Sequence, residues 1–207
     1  LLSVSDAQGI SVIATHSNAI DHFPLGGVFT DNGDNVIAFG DDTIDTDVTF
    51  RDVGVPYRID STVNIRDAEV LDEPGVEIRV GSDVFLDFGW NGNTATVLAG
   101  GTEDAPIVFR GETEEAGYWR GVRINAEVTR NSALSNLVIR DAGGNDTAAL
   151  DIRSVINLND VRLERNAVGA YIGEQGLNED SSHLTVTGTE SYPLTIEPDA
   201  WVTLPKG

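Results

Sequence analysis

The chain is written almost entirely in short β-rich runs that alternate apolar with polar or charged side chains. That period of two marks strands with one buried face. Ser11–Ala14, Asn35–Phe39, Tyr57–Ile59, Val76–Val80, Val84–Phe88, Leu137–Arg140, Leu194–Ile196 and Val202–Leu204 are typical. Gly, Asn, Asp or Pro stands in nearly every gap and supplies turn geometry. Helical periodicity is scarce: Glu112–Ala116 is long enough for one turn, and nothing reads as a long amphipathic helix. The chain is therefore all-β, and the choice lies between a sandwich and a solenoid.

The middle of the sequence favours the solenoid. Asn136-Leu137-Val138-Ile139-Arg140 and Asn159-Asp160-Val161-Arg162-Leu163 share an Asn followed by alternating residues, and 159 − 136 = 23 positions separate them. That spacing is one coil in the range of repeat architectures. The runs Ala148–Ile152 and Ala170–Ile172 are offset by about 22 residues, a similar repeat. Stacked coils place equivalent residues above one another, so Asn at a corner is expected to form an amide ladder while Val and Leu stack inside.

Charge then narrows the partners. Thirty-four acidic residues stand against 13 basic ones, a formal net charge of −21 with a pI near 4.2. Such a surface repels nucleic acid and anionic lipid. No apolar stretch approaches the ~18 residues that span a bilayer as a helix, so neither nucleic-acid binding nor membrane insertion is expected. Lys206 is the sole lysine. An acidic, lysine-poor chain resembles proteins of salty habitats, where screened carboxylates keep it soluble; an ordinary acidic extracellular protein is the other reading. Zero cysteines remove disulfides and thiolate metal sites. The start, Leu1 to Asp6, lacks the charged and apolar regions of a signal peptide, and no initiator Met is present. It reads as a processed protein or a piece of a longer one.

Three stretches carry a resemblance to a family. Gly101-Thr102-Glu103-Asp104-Ala105-Pro106-Ile107-Val108-Phe109 with Gly117-Tyr118-Trp119-Arg120-Gly121 is the first. Gly54-Val55-Pro56-Tyr57-Arg58-Ile59 leading to Glu73-Pro74-Gly75-Val76-Glu77-Ile78 is the second. Ser135-Asn136-Leu137-Val138-Ile139-Arg140-Asp141-Ala142-Gly143 is the third. In order and spacing they resemble the pectin-lyase-like β-helix repeats of prokaryotic surface proteins. The resemblance implies a right-handed parallel β-helix, extracellular or at the cell surface, over roughly residues 35–200. On this reading residues 1–30 form an irregular capping or assembly segment and residues 31–207 the β-helix module.

The ends suggest self-association. His22-Phe23-Pro24-Leu25 and Ser191-Tyr192-Pro193-Leu194 each place Pro after an aromatic, so the module is expected to begin and end at equivalent phases. A free β-helix end presents unpaired strand edges. Copies stacking head to tail, or neighbouring modules of a longer chain, are the expected partners.

Catalysis has little to stand on. Gly40-Asp41-Asp42 is similar to the Gly-Asp-Asp segment of polygalacturonases, whose paired carboxylates work as acid and base. The Gly-His-Gly and Arg-Ile-Lys segments that accompany it there are missing, and no lyase-like Arg segment is present. His16, His22 and His183 lack metal-ligand spacing. No enzyme is expected. Calcium is the candidate cofactor: Asp31, Asp34, Asp41, Asp42, Asp45 and Asp47 gather hard oxygen ligands near turns, although a solvated acidic loop is the simpler reading. Asn145-Asp146-Thr147 is the single N-glycosylation sequon. Trp119 reads as core or corner packing rather than a sugar platform, whereas Trp90 and Trp201 are the candidate glycan-stacking aromatics. The expected role is a structural subunit, with a surface adhesion or glycan-binding module as the alternative.

Overall fold

The computed structural model describes residues 2–14, 16–40 and 42–202. It is a parallel β-solenoid of about eight coils. A short arm comes first: β1 (Ser3–Ser5), β2 (Ile10–Ala14), a 3-10 turn over Ser17–His22, and β3 (Val28–Thr30). The three-sided coils follow as β4 (Asp34–Phe39), β5 (Thr43–Ile44), β6 (Val48–Phe50); β7 (Tyr57–Ile59), β8 (Val63–Ile65), β9 (Ala68–Asp72); and β10 (Glu77–Val80), β11 (Phe85–Phe88), β12 (Ala95–Gly100). Then come β13 (Ile107–Gly111), β14 (Gly121–Ile124), β15 (Ala133–Ser135), β16 (Leu137–Arg140), β17 (Leu150–Ile152), β18 (Asn157–Glu164), β19 (Ala170–Ile172), β20 (Ser182–Thr187) and β21 (Leu194–Ile196). A 3-10 turn, Pro198–Val202, ends the described chain. Val202 of the expected last strand belongs to that turn, and the rest of that run lies outside the described residues.

Each coil contributes one strand to each of three faces. Face 1 runs β2-β4-β7-β10-β13-β16-β18, and face 2 runs β5-β8-β11-β14-β17-β19-β21. Face 3 runs β6-β9-β12-β15-β18. The long strand β18 turns the corner between faces 3 and 1, and β20 pairs with it at the far end. Every pairing is parallel, so inward side chains stack in columns along the axis. Face 2 stacks Ile44, Ile65, Phe88, Ile124, Ile152, Ile172 and Ile196. Face 1 stacks Val12, Ile37, Tyr57, Ile78, Phe109, Ile139, Leu163 and Val186. β-Branched residues dominate because their stiff side chains fit a pleated, half-buried surface.

The coil length is not constant. Ile37 to Tyr57 is 57 − 37 = 20 residues, whereas Ile78 to Phe109 is 109 − 78 = 31. The extra chain sits at the corners. The turn from face 1 to face 2 grows from residues 60–62 in the second coil to residues 112–120 in the fourth. The corner from face 3 to face 1 instead carries the Pro and Gly motifs, Gly54–Pro56, Pro74–Gly75 and Gly101–Pro106, stacked one above another. Gly75 N donates to Ala105 O at 3.0 Å across two of them.

In the last three coils that corner shrinks to one residue. Asn136, Asp160 and His183 all take the left-handed conformation, with φ of 45°, 53° and 49°. This corrects the expected alignment of Asn136 with Asn159. Asn159 pairs with Ser135 inside the sheet, and Asp160 is the residue equivalent to Asn136. No Asn ladder forms there: Asn136 Nδ2 donates to Gly101 O at 3.1 Å, and Asn159 Oδ1 accepts from Ser182 Oγ at 2.7 Å. A buried amide does bridge coils one corner on, where Asn166 accepts from Ala142 N at 2.8 Å and donates to Ile139 O at 3.1 Å. The 22-residue offset becomes 172 − 152 = 20, since Ile152 pairs with Ile172.

Candidate functional site

The two ends of the solenoid differ. At the amino-terminal end the 3-10 turn Ser17–His22 lies over β5 and β6, the first strands of faces 2 and 3. Ile20 is buried in the core there, Asp21 accepts from Thr49 N through its carboxylate, and Asp21 O accepts from the Arg51 guanidinium at 3.3 Å. The described part of residues 1–30 holds strands as well as this turn. β2 is hydrogen-bonded to β4 as a strand of face 1, so the sheet begins inside this segment. The arm β1 pairs with β3 in a small sheet of its own.

The expected phase match between the ends is absent. Pro193 passes straight into face 2, where its carbonyl accepts from Ala170 N at 3.0 Å. Pro24 follows the 3-10 turn and leads to β3, which pairs with β1 outside the three faces.

The edge strands differ from the interior strands of face 1. Among the described residues nothing pairs with the outer side of β2, β20 or β21. At the carboxy-terminal end Leu184, Val186 and Ile196 are only half buried and Leu194 is 43 % exposed, whereas Ala200 of the closing 3-10 turn is buried with the core. Free edges are normally blunted by charge. Here β2 reads Ile-Ser-Val-Ile-Ala, β20 Ser-His-Leu-Thr-Val-Thr and β21 Leu-Thr-Ile, with no Asp, Glu, Arg or Lys. Every interior strand of face 1 carries at least one. Their outward row places Arg58, Arg79 and Arg110 in register, with Arg140 next in line. Asp34 and Asp60 hold Arg58 at 3.4 and 2.9 Å, Glu77 holds Arg79 and Arg110 at 3.0 and 2.7 Å, and Glu164 holds Arg140 at 2.8 Å.

A second feature is a groove of about 390 Å³ on face 2, walled by Asp146–Ala148 and Ser191–Tyr192. Its floor is the outward row Arg123, Asp151, Tyr171 and Thr195. Asp151 receives Arg123 at 3.2 Å and Arg153 at 2.8 Å. Arg123 also reaches the nearly buried Asp87 at 3.3 Å. Burial pushes the Asp87 carboxyl up, while Arg123 and a hydrogen bond from Asn125 oppose that shift. The Tyr171 hydroxyl donates to Glu197 at 2.8 Å, and the Tyr192 ring stands 71 % exposed at the rim. Asp87 and Asp151 are thus both engaged by guanidinium groups.

The sequence-predicted metal residues are spread out. Asp31 is a left-handed corner residue before β4. Asp34 is taken by Arg58 and Arg79, and Asp47 accepts from Glu69 N at 2.8 Å. Asp42 lies at the corner between faces 1 and 2, where its carboxylate accepts from Thr43 Oγ1 at 3.2 Å. Asp45 follows β5, and Asp41 lies outside the described residues. Among the described residues no three His, Asp or Glu side chains gather as a metal-ready cluster. His16 and His22 sit in the amino-terminal segment and His183 on the last coil, where its Nδ1 lies 3.3 Å from Asp160. Trp119 is fully buried and donates to Arg140 O at 2.7 Å, a core role. Trp90 is 45 % exposed in a tight turn, while the Trp201 side chain lies outside the described set. Asn145 is exposed on a turn and donates to Asp83 at 2.7 Å.

No protein-family model, curated protein or solved structure matches the chain. The fold and its edges thus define it as a parallel β-solenoid.

Proposed function

We propose that this chain is a non-catalytic structural β-solenoid, of the pectin-lyase-like kind, that associates end to end into a filament or surface layer outside the cytoplasm. Its winding is taken as right-handed, the sense of about 98 % of parallel crossovers. The observation that supports association most is the contrast on face 1 between charged interior strands and the uncharged, unpaired edge strands β2 and β20 in a chain of net charge −21. Like-charge repulsion over the faces disfavours side-by-side aggregation, and it leaves the ends as the surfaces that tolerate contact. Light scattering across a concentration series, with negative-stain microscopy, tests the reading. Linear polymers one solenoid wide are expected; a strictly monomeric protein at every concentration refutes it.

The face 2 groove favours a second reading, a glycan-binding module. Tyr171, Tyr192 and the paired guanidinium and carboxylate groups offer stacking and planar hydrogen bonding together. Retention on a glycan array that Tyr192→Ala abolishes would support it; an array without a hit counts against it.

A further inference from the structure

We infer that the partner of the carboxy-terminal end is the amino-terminal arm of a second copy, with β2 of one molecule added to β20 of the next on face 1. The inference rests on the self-association reading above and specifies its register. Four observations meet at this pairing. All strands of the solenoid run parallel, so a second copy in the same orientation continues the ladder without reversal. β2 and β20 are the two outer strands of face 1, and neither bears a carboxylate or a guanidinium to repel or block a neighbour.

The inward columns also continue. Val12 begins the face 1 column and Val186 ends it, so Val12 of the second copy stacks on Val186 just as Leu163 does from the other side. The same register sets Ile13 beside Thr187. Ile13 is 69 % exposed, the outward residue of a strand with one open side, and the added coil covers it. Finally, the 3-10 turn over β5 and β6 keeps faces 2 and 3 of the incoming copy away from direct ladder contact. The junction is confined to face 1 and the corner leading into it. Contact between different patches on the two molecules is heterologous, so it propagates instead of closing into a dimer.

The chain has no cysteine, which makes the register directly testable. Ile13 and Thr187 lie seven strand spacings apart within one molecule, about 34 Å, far beyond the reach of a disulfide. In the double variant Ile13→Cys/Thr187→Cys any disulfide is therefore between molecules. Mild oxidation should yield a ladder of dimers, trimers and longer species on a non-reducing gel, collapsed by dithiothreitol. Ile13→Cys/Thr185→Cys, displaced by two residues on the same side of β20, should cross-link at least five-fold less. Equal cross-linking of the two pairs, or none in a preparation whose unmodified chain polymerises, overturns the register and leaves end association standing. A dominant dimer from Ile13→Cys alone overturns the head-to-tail polarity. An unmodified chain that stays monomeric overturns association itself.

Discussion

Asp72 points into the core from the end of β9, in the inward column between Phe50 and Ala99. It is fully buried and neither carboxylate oxygen has a hydrogen-bond partner. Burial alone raises its pKa from 3.8 to about 7. A raised folded-state value means that the native chain holds this proton more tightly than the unfolded chain does. The stability it contributes is complete below about pH 4 and is lost as pH rises towards 7. A shift of roughly three units at 1.36 kcal/mol each makes the loss about 4 kcal/mol. Tyr57 nearby is pushed up to about 12 by its own burial and stays protonated throughout this window. Asp72→Asn removes the titration and keeps the shape. Urea unfolding of both proteins from pH 4.5 to 8.5 should show the variant gaining on the parent by about 1.4 kcal/mol per pH unit up to about 7, then levelling. The shared surface carboxylates cancel in that difference. A difference that stays flat over the whole range refutes the reasoning, because it would mean that the buried carboxyl is solvated or paired in the folded state.

Asn166→Ala leaves Ala142 N and Ile139 O without partners in the core and should cost about 2–3 kcal/mol in urea unfolding. Arg79→Gln, by contrast, removes a partly exposed ion pair from the face 1 row and should cost under about 1 kcal/mol by the same measure. Gly121→Ala places a methyl group against the Ala148 carbonyl at a φ of 137°, and a loss of at least about 2 kcal/mol is expected in thermal unfolding. Ile13→Lys adds a charge to the free edge without touching the core: light scattering should show polymer lost while unfolding changes by no more than about 0.5 kcal/mol.

Much of the architecture was legible because a parallel stack repeats its chemistry. Alternation marked Tyr57–Ile59, Val76–Val80 and Leu137–Arg140 as strands, and the Pro-Gly motifs marked one shared corner. The one-residue error at Asn159 has a physical cause. A single left-handed residue turns the chain without ending the strand, so β18 passes the corner with no Gly or Pro to announce it. Strands β1, β3, β5, β9 and β15 were not marked by the alternation. Val12 and Val186 look alike as sequence, but that they are the two ends of one column follows only from the pairing register. The groove was illegible for a similar reason. Arg123, Asp151 and Tyr171 lie in one row only because coils of unequal length bring them level. The Asp-rich run, in turn, is divided among β4 and the turns on either side of β5, with no metal-ready cluster among the described residues.

The corners also dictate where the chain can tolerate growth. Between faces 1 and 2 the fold already absorbs excursions as different as residues 60–62 and 112–120, so a foreign peptide inserted at 112–116 would extend one lateral edge as a display loop. At Asp160 one extra residue would invert the in–out alternation of one half of β18 against the other and push core side chains into water. Natural variants and engineered fusions should accordingly accumulate on one seam of the rod, leaving the seam at Asn136, Asp160 and His183 constant in length.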